Sequence, residues 1–208
     1  MIRKESEERL TNLLKTYHIW WRKLVDVVIC PKCGQFIYKK ERQVDYLAII
    51  GNQPALIECK QAETSFQFAN PDIGIRPIQR QIMTDWEERG VHSWIFLLMG
   101  NGSFPNDKQA WLFPWTEWRQ FIEPYLVEKQ LKSLPWKSNL RKSSVILNAA
   151  TLLLPYHIPY RRGKGLYMPE DHWFALQYTD LFRLTPMPYW SMDFAEVTHG
   201  VVTDPPED

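Results

Sequence analysis

The stretch from Val44 to Lys60, VDYLAIIGNQPALIECK, most constrains what this chain can fold into. Val44 to Ile50 is a run of strand formers, Gly51-Asn52 supplies turn chemistry, and Ala55 to Lys60 reads as a second strand. Side chains alternate across a strand, so Ile57 and Cys59 point one way and Glu58 and Lys60 the other. The apolar pair suits a core. That predicts a carboxylate and an ammonium side by side on an open strand face, with Asp45 of the partner strand reaching the same spot. A solvated Glu-x-Lys ion pair on a surface strand has the same pattern, so the rest of the chain has to separate the two readings.

At 208 residues, with 45% hydrophobic and 24% charged side chains, the chain has globular proportions and enough length for one real core. No apolar run approaches the roughly 18 residues that span a bilayer, and the opening MIRKESEERL lacks the apolar core of a signal peptide. These features predict a cytoplasmic protein without a membrane partner, nucleoid-associated if the source is prokaryotic. Net charge is only +1, but it is unevenly spread. Residues 1–42 carry ten basic against five acidic side chains, Leu126 to Gly165 eight against one, and Leu166 to Asp208 one against eight. Basic surface beside an acidic site is what a phosphodiester substrate needs. Solvated charge explains each segment equally well.

Two carboxylates and a lysine converging at a sheet rim make a magnesium site with a resident cation. Mg²⁺ takes oxygen ligands, usually one or two carboxylates completed by water and substrate phosphate. A lysine there orients an attacking water while the metal stabilises charge on the phosphate. Asp45 and Glu58 are the expected metal ligands, the Cys59 carbonyl a further one, and Lys60 the water-positioning group. Mn²⁺ is expected to substitute for Mg²⁺.

Around this centre, Ser6 to Leu24 has the spacing of an amphipathic helix, and Val25 to Ile29 that of a short strand. The turn Cys30-Pro-Lys-Cys33-Gly34 has the look of one zinc knuckle, whereas a structural zinc needs four ligands. His18 or a symmetry-related cysteine pair would have to complete it. The default is a tight turn with two unliganded thiols and no disulfide framework. Lys39, Lys40 and Arg42 follow as a basic cluster leading into the central strands. Gln61 to Arg76 reads as a loop, and Pro77 opens a helix that Gly90 terminates. Gln79, in its first turn, is placed to face the metal site. His92 to Met99 reads as a central strand buried on both faces, Ala110 to Phe113 as another strand, and Trp115 to about Glu128 as a helix. The order α-β-β-β-α-β-β-α predicts a mixed sheet flanked by helices.

The order Asp45, a dozen residues, Glu58-Cys-Lys60 resembles the active site of the PD-(D/E)XK nucleases. Together with Tyr46, Thr64, Phe66-Gln-Phe68, Asn70, Gln79, Met83 and Gly90 before an apolar strand, it resembles the RecU-type Holliday junction resolvases. The likeness spans about residues 5–125. It implies a restriction-endonuclease-like fold, a Mg²⁺-dependent DNA endonuclease, a homodimer and a branched or four-way-junction substrate. It further implies that a glutamate of the first helix, Glu7 with Glu8 as a near rival, approaches the metal and that Gln79 supports water or phosphate. A first-turn glutamate favouring the helix dipole is the plainer reading of Glu7. The sequence departs from the family in three places. Ile78 stands where the family has His, Thr64 lies two residues further from Lys60, and no long arm precedes Asp45.

Beyond Lys129 the resemblance ends, dividing the chain into a nuclease-like part, 1–129, and an extension, 130–208. Ser133 to Ser144 reads as a basic linker, and Val145 to Tyr156 as an apolar segment that re-enters a sheet. Arg161, Arg162 and Lys164 form a tight basic turn, expected with Lys39, Lys40 and Arg42 to touch nucleic acid. Of ten tryptophans most should fill the core, and of Trp20 and Trp21 one is a contact candidate. The rival readings are a restriction-like or phage-type nuclease of other specificity, a DNA-binding protein with a vestigial site, and an interaction protein whose Glu-x-Lys is structural.

Overall fold

Strands apolar on both faces need a layer on each side, and this chain supplies one. The computed structural model describes residues 5–24, 27–29, 36–38, 44–50, 53–103, 107–136 and 148–167. In chain order the elements are helix α1 (Glu5–Thr16) and strands β1 (Trp20–Lys23), β2 (Val27–Ile29), β3 (Phe36–Tyr38), β4 (Tyr46–Ile50), β5 (Gln53–Ala62) and β6 (Ser65–Phe66). Helix α2 (Pro77–Glu88), β7 (His92–Gly100), β8 (Lys108–Pro114), α3 (Trp115–Glu117), a π-helical turn (Trp118–Ile122) and α4 (Glu123–Glu128) follow. Then come β9 (Leu134–Pro135), α5 (Ala149–Leu152), a 3₁₀ turn (Leu154–Tyr156), β10 (His157–Ile158), β11 (Tyr160–Arg161) and β12 (Gly165–Leu166).

Six strands form one mixed sheet in the order β1-β4-β5-β7-β8-β10. β5 and β7 run parallel, joined by the crossover through α2, and the other neighbours are antiparallel. On one face Leu10, Leu13 and Leu14 of α1 pack against Tyr46, Ile57, Cys59, Phe96 and Leu112. On the other, Met83 of α2 and the Trp115–Leu126 helical segment cover Leu56, Ile95, Leu97 and Phe113. The expected mixed sheet flanked by helices is therefore present, and β7 is buried on both faces.

Several local expectations are corrected. The first helix ends at Thr16, not Leu24. His18 adopts φ 52°, a left-handed turn no helix continues through, and the bulky Trp20–Lys23 run pairs with β4. Alternation then splits the tryptophans: Trp21 packs edge-on against Tyr46, while Trp20 stays 53% exposed opposite Ile49. The segment with Val27–Ile29 is not the sheet's first strand but pairs with β3 in a separate antiparallel couple. That couple stands in the region before Asp45 where no long arm was expected. Gln61 to Arg76 is not wholly loop, since β5 continues to Ala62 and β6 pairs with β9.

Of the segment Val145 to Tyr156, residues 148–156 are described, and they form a short helix and a 3₁₀ turn in place of the expected strand. Asn148 caps α5 by accepting the Thr151 N–H at 3.0 Å, and Ala149 and Leu152 turn into the core. Among the described residues, the chain rejoins the sheet at β10. Core and sheet thus continue past residue 129, through Leu134, Trp136, Leu152, Tyr156 and Ile158.

Candidate active site

Tyr46 pairs with Ile57 across β4 and β5, and both face α1. One step further along that register, Asp45 comes opposite Glu58. Leu56, on the α2 side of the sheet, fixes the orientation of Glu58 and Lys60, two and four residues on. The alternation read from the sequence holds, but the face is not open. Glu58 is 2% exposed and the Lys60 side chain 11%, because the segment after β5 returns as α2 over them.

Gln79 joins the two. Its Oε1 accepts from Lys60 Nζ at 2.9 Å and from the Arg76 N–H at 3.0 Å, and its Nε2 donates to Glu58 Oε1 at 2.7 Å. Lys60 Nζ also lies 3.0 Å from Glu58 Oε1. One carboxylate oxygen of Glu58 is therefore held twice. The other, Oε2, is buried and has no hydrogen-bond partner among the described residues. Asp45 Oδ2 accepts the Cys59 N–H at 2.9 Å, which fixes its carboxylate beside Glu58. Burial, and then the Asp45 charge, push the Glu58 carboxyl up to about 8, against the pull of Lys60 and Gln79.

This donor set fits a hard divalent cation. A buried carboxylate oxygen left without a donor costs free energy that a cation would offset. Among the described residues no three His, Cys, Asp or Glu side chains converge as a ready-made cage. Two carboxylates are what Mg²⁺ usually takes from protein, the remainder being water and substrate.

Glu7 reaches the strand from the α1 side. It is buried on the α1 side, paired with Lys23, and its carbonyl accepts the Tyr46 hydroxyl at 3.3 Å. Its charge acts on the Cys59 thiol, which burial, Asp45, Glu58 and Glu7 together push well above 9.0. The carboxylate that acts on Glu58 is Asp45. Arg161, Arg162 and Lys164 are exposed on the β11–β12 hairpin. Cys30, Cys33, Lys39, Lys40 and Arg42 lie outside the described residues, as does the Gly51-Asn52 turn.

Sequence reasoning missed Arg80 and Glu123. Arg80 donates to both Glu123 oxygens, Oε2 at 2.6 Å and Oε1 at 2.8 Å, and to the carbonyls of Ile75 at 3.0 Å and Phe68 at 3.1 Å. It thereby ties both ends of the loop before α2 to α4, one residue from Gln79. The only hint in the sequence is an arginine beside the helix glutamine, because its partner lies 43 residues away.

Comparison with protein-family models gives no match, and comparison with curated proteins gives none either.

Proposed function

We propose that this chain is a Mg²⁺-dependent DNA endonuclease of restriction-endonuclease-like fold that hydrolyses phosphodiester bonds in branched or four-way-junction DNA as a homodimer. The observation that carries the reading is Glu58, with one oxygen held by Lys60 and Gln79 and the other buried beside Asp45 with no hydrogen-bond partner among the described residues. The arrangement of elements supports it as well: α1, the antiparallel β1-β4-β5 and the α2 crossover to a parallel β7 make a mixed sheet covered by helices, with Trp20–Lys23 in the place expected for the Val25–Ile29 strand.

In this reading Asp45, Glu58 and the Cys59 carbonyl hold Mg²⁺ or Mn²⁺. Bound there, the ion neutralises charge on the phosphate and lowers the pKa of a coordinated water. Lys60, fixed between Glu58 and Gln79, orients the attacking water. Gln79 keeps that ammonium and carboxylate in register, so it is a supporting group. Glu7, on the α1 side, acts at most from outside this cluster. Arg161, Arg162 and Lys164, and with them Lys39, Lys40 and Arg42, contribute affinity by neutralising phosphates. Zinc at Cys30 and Cys33 would be structural and shared with further ligands, and metal analysis of protein purified without chelator tests it.

The deciding experiment offers four-way junction, flap, duplex and single-stranded DNA with Mg²⁺ or Mn²⁺. The expected outcome is junction cleavage that Glu58→Ala and Lys60→Ala each reduce by about 10²-fold or more, with binding in Ca²⁺ retained. Preferential cutting of plain duplex would instead indicate a restriction-like or phage-type nuclease. A second reading, a DNA-binding protein with a vestigial site, draws on Asp45 Oδ2 being engaged by the Cys59 amide. Tight binding with no cleavage of any substrate would establish that reading and overturn the first.

A further inference from the structure

Lys60 and the basic hairpin lie at the same end of the sheet. Consecutive registers align Lys60 with Leu97, Leu97 with Trp111, and Trp111 with His157. That row crosses three strand spacings, about 14 Å. From His157 the chain runs toward the end marked by Ala62, Gly100 and Lys108, because Ile158 pairs with Ala110. Strand β11 begins three residues on, at Tyr160, roughly 10 Å further at the rise of an extended chain. Arg162 and Lys164 lie a further two to four residues along, so the basic turn sits on the order of 15–25 Å from Lys60.

The hairpin is a built element. Gly163 at φ 77° and Gly165 at φ 80° make the turn, and the Lys164 N–H bonds the Arg161 carbonyl at 3.0 Å. Leu166 is buried against the α1 side, and the Tyr167 N–H bonds the Pro159 carbonyl at 3.0 Å. The Arg161 guanidinium stacks over the Tyr167 ring at 4.1 Å. The side chains of Arg162 and Lys164 are exposed, with no ionic or hydrogen-bond partner among the described residues. The hairpin packs on the α1 side and the Glu58 cluster on the α2 side, so a ligand touching both crosses the end of the sheet.

The geometry points to a single double-stranded DNA arm gripped at both places: its scissile phosphate at Asp45, Glu58 and Lys60, and backbone about half a helical turn away at Arg162 and Lys164. At 3.4 Å per base pair along one strand, 15–25 Å is roughly four to seven base pairs. A duplex holds two backbone points at that separation, which a single strand does not. This inference rests on the nuclease reading and adds to it a requirement for duplex on one side of the cut.

The test uses the wild-type chain on junctions whose arms are trimmed one at a time, with binding in Ca²⁺ and cleavage in Mg²⁺. Binding is expected to drop when one particular arm becomes shorter than about five or six base pairs, while trimming the other arms has little effect. Arg162→Ala with Lys164→Ala is expected to lower the slope of log affinity against log salt by about 2 on the long arm, and to change nothing on the trimmed one. Indifference of the wild-type protein to trimming, or an equal loss on long and trimmed arms, overturns the two-point grip while leaving the nuclease standing. A wild-type chain that neither binds nor cuts DNA overturns both.

Discussion

At the scale of single residues, Glu58 ties stability to pH. Its carboxyl titrates at about 8 in the folded chain and near 4.5 when exposed, chiefly because it is buried beside Asp45. Between those values the folded chain keeps a proton that the unfolded chain has released. This contribution is therefore fully present below about pH 4.5 and is lost as pH rises toward 8. Glu58→Gln, which does not titrate, should gain on the wild type as pH rises from 5.5 to 8.5, measured by urea unfolding in chelator; parallel profiles would show that Glu58 ionises freely. On the proposed metal-site reading, added Mg²⁺ should stabilise the chain increasingly over the same range, because binding has to displace that proton. Lys60→Met should also destabilise the metal-free protein at high pH, where the Glu58 charge would lose its nearest cation. Asp45, Glu58, Lys60 and Gln79 were legible in the sequence because strand alternation and helix position act locally. The burial of Glu58 was not, since it depends on α2 folding back over the strand.

At the scale of elements, the site is braced by a helix whose regularity is interrupted. Pro124 has no N–H to give, and the Glu123 N–H reaches Trp118 O, five residues back. That wide turn presents Glu123 to Arg80 and to Trp118 Nε1, 3.1 Å from Oε2. Arg80→Met should cost about 2 kcal/mol, since a charged fork to several acceptors is lost. On the proposed nuclease reading, it should also slow cleavage more than it weakens DNA binding, through Gln79. Arg80→Lys should recover only part of each, because one ammonium cannot match a planar fork. Unfolding curves and single-turnover rates on both variants check this. Such a brace is invisible to patterning, which sees neither a 43-residue separation nor a π turn. The Trp20–Lys23 strand escaped for a related reason. Leucine spacing carries a helical signal up to Tyr17, and only the backbone at His18 shows where it stops.

At the scale of the whole molecule, the sheet's last strand arrives late. β8, with buried Trp111 and Leu112, has β7 on one side and β10 on the other, and β10 is supplied by His157 and Ile158. Family resemblance placed a division at residue 129 because it tracks the cluster and the strands around it, whereas hydrophobic closure needs the segment beyond. A fragment 1–129 should therefore expose the outer edge of β8 and the surface covered by Leu152 and Tyr156. It should form aggregates, read by light scattering and dye binding, where a fragment ending after residue 167 stays monodisperse or forms discrete oligomers. During synthesis at roughly 5–20 residues per second, the interval between the end of β8 and the start of β10 lasts on the order of 2–9 s. For those seconds the nascent chain carries an open, apolar strand edge able to pair with a neighbour on the same messenger. Its yield in a cell should accordingly depend on how densely ribosomes are loaded and on chaperones that shield such an edge.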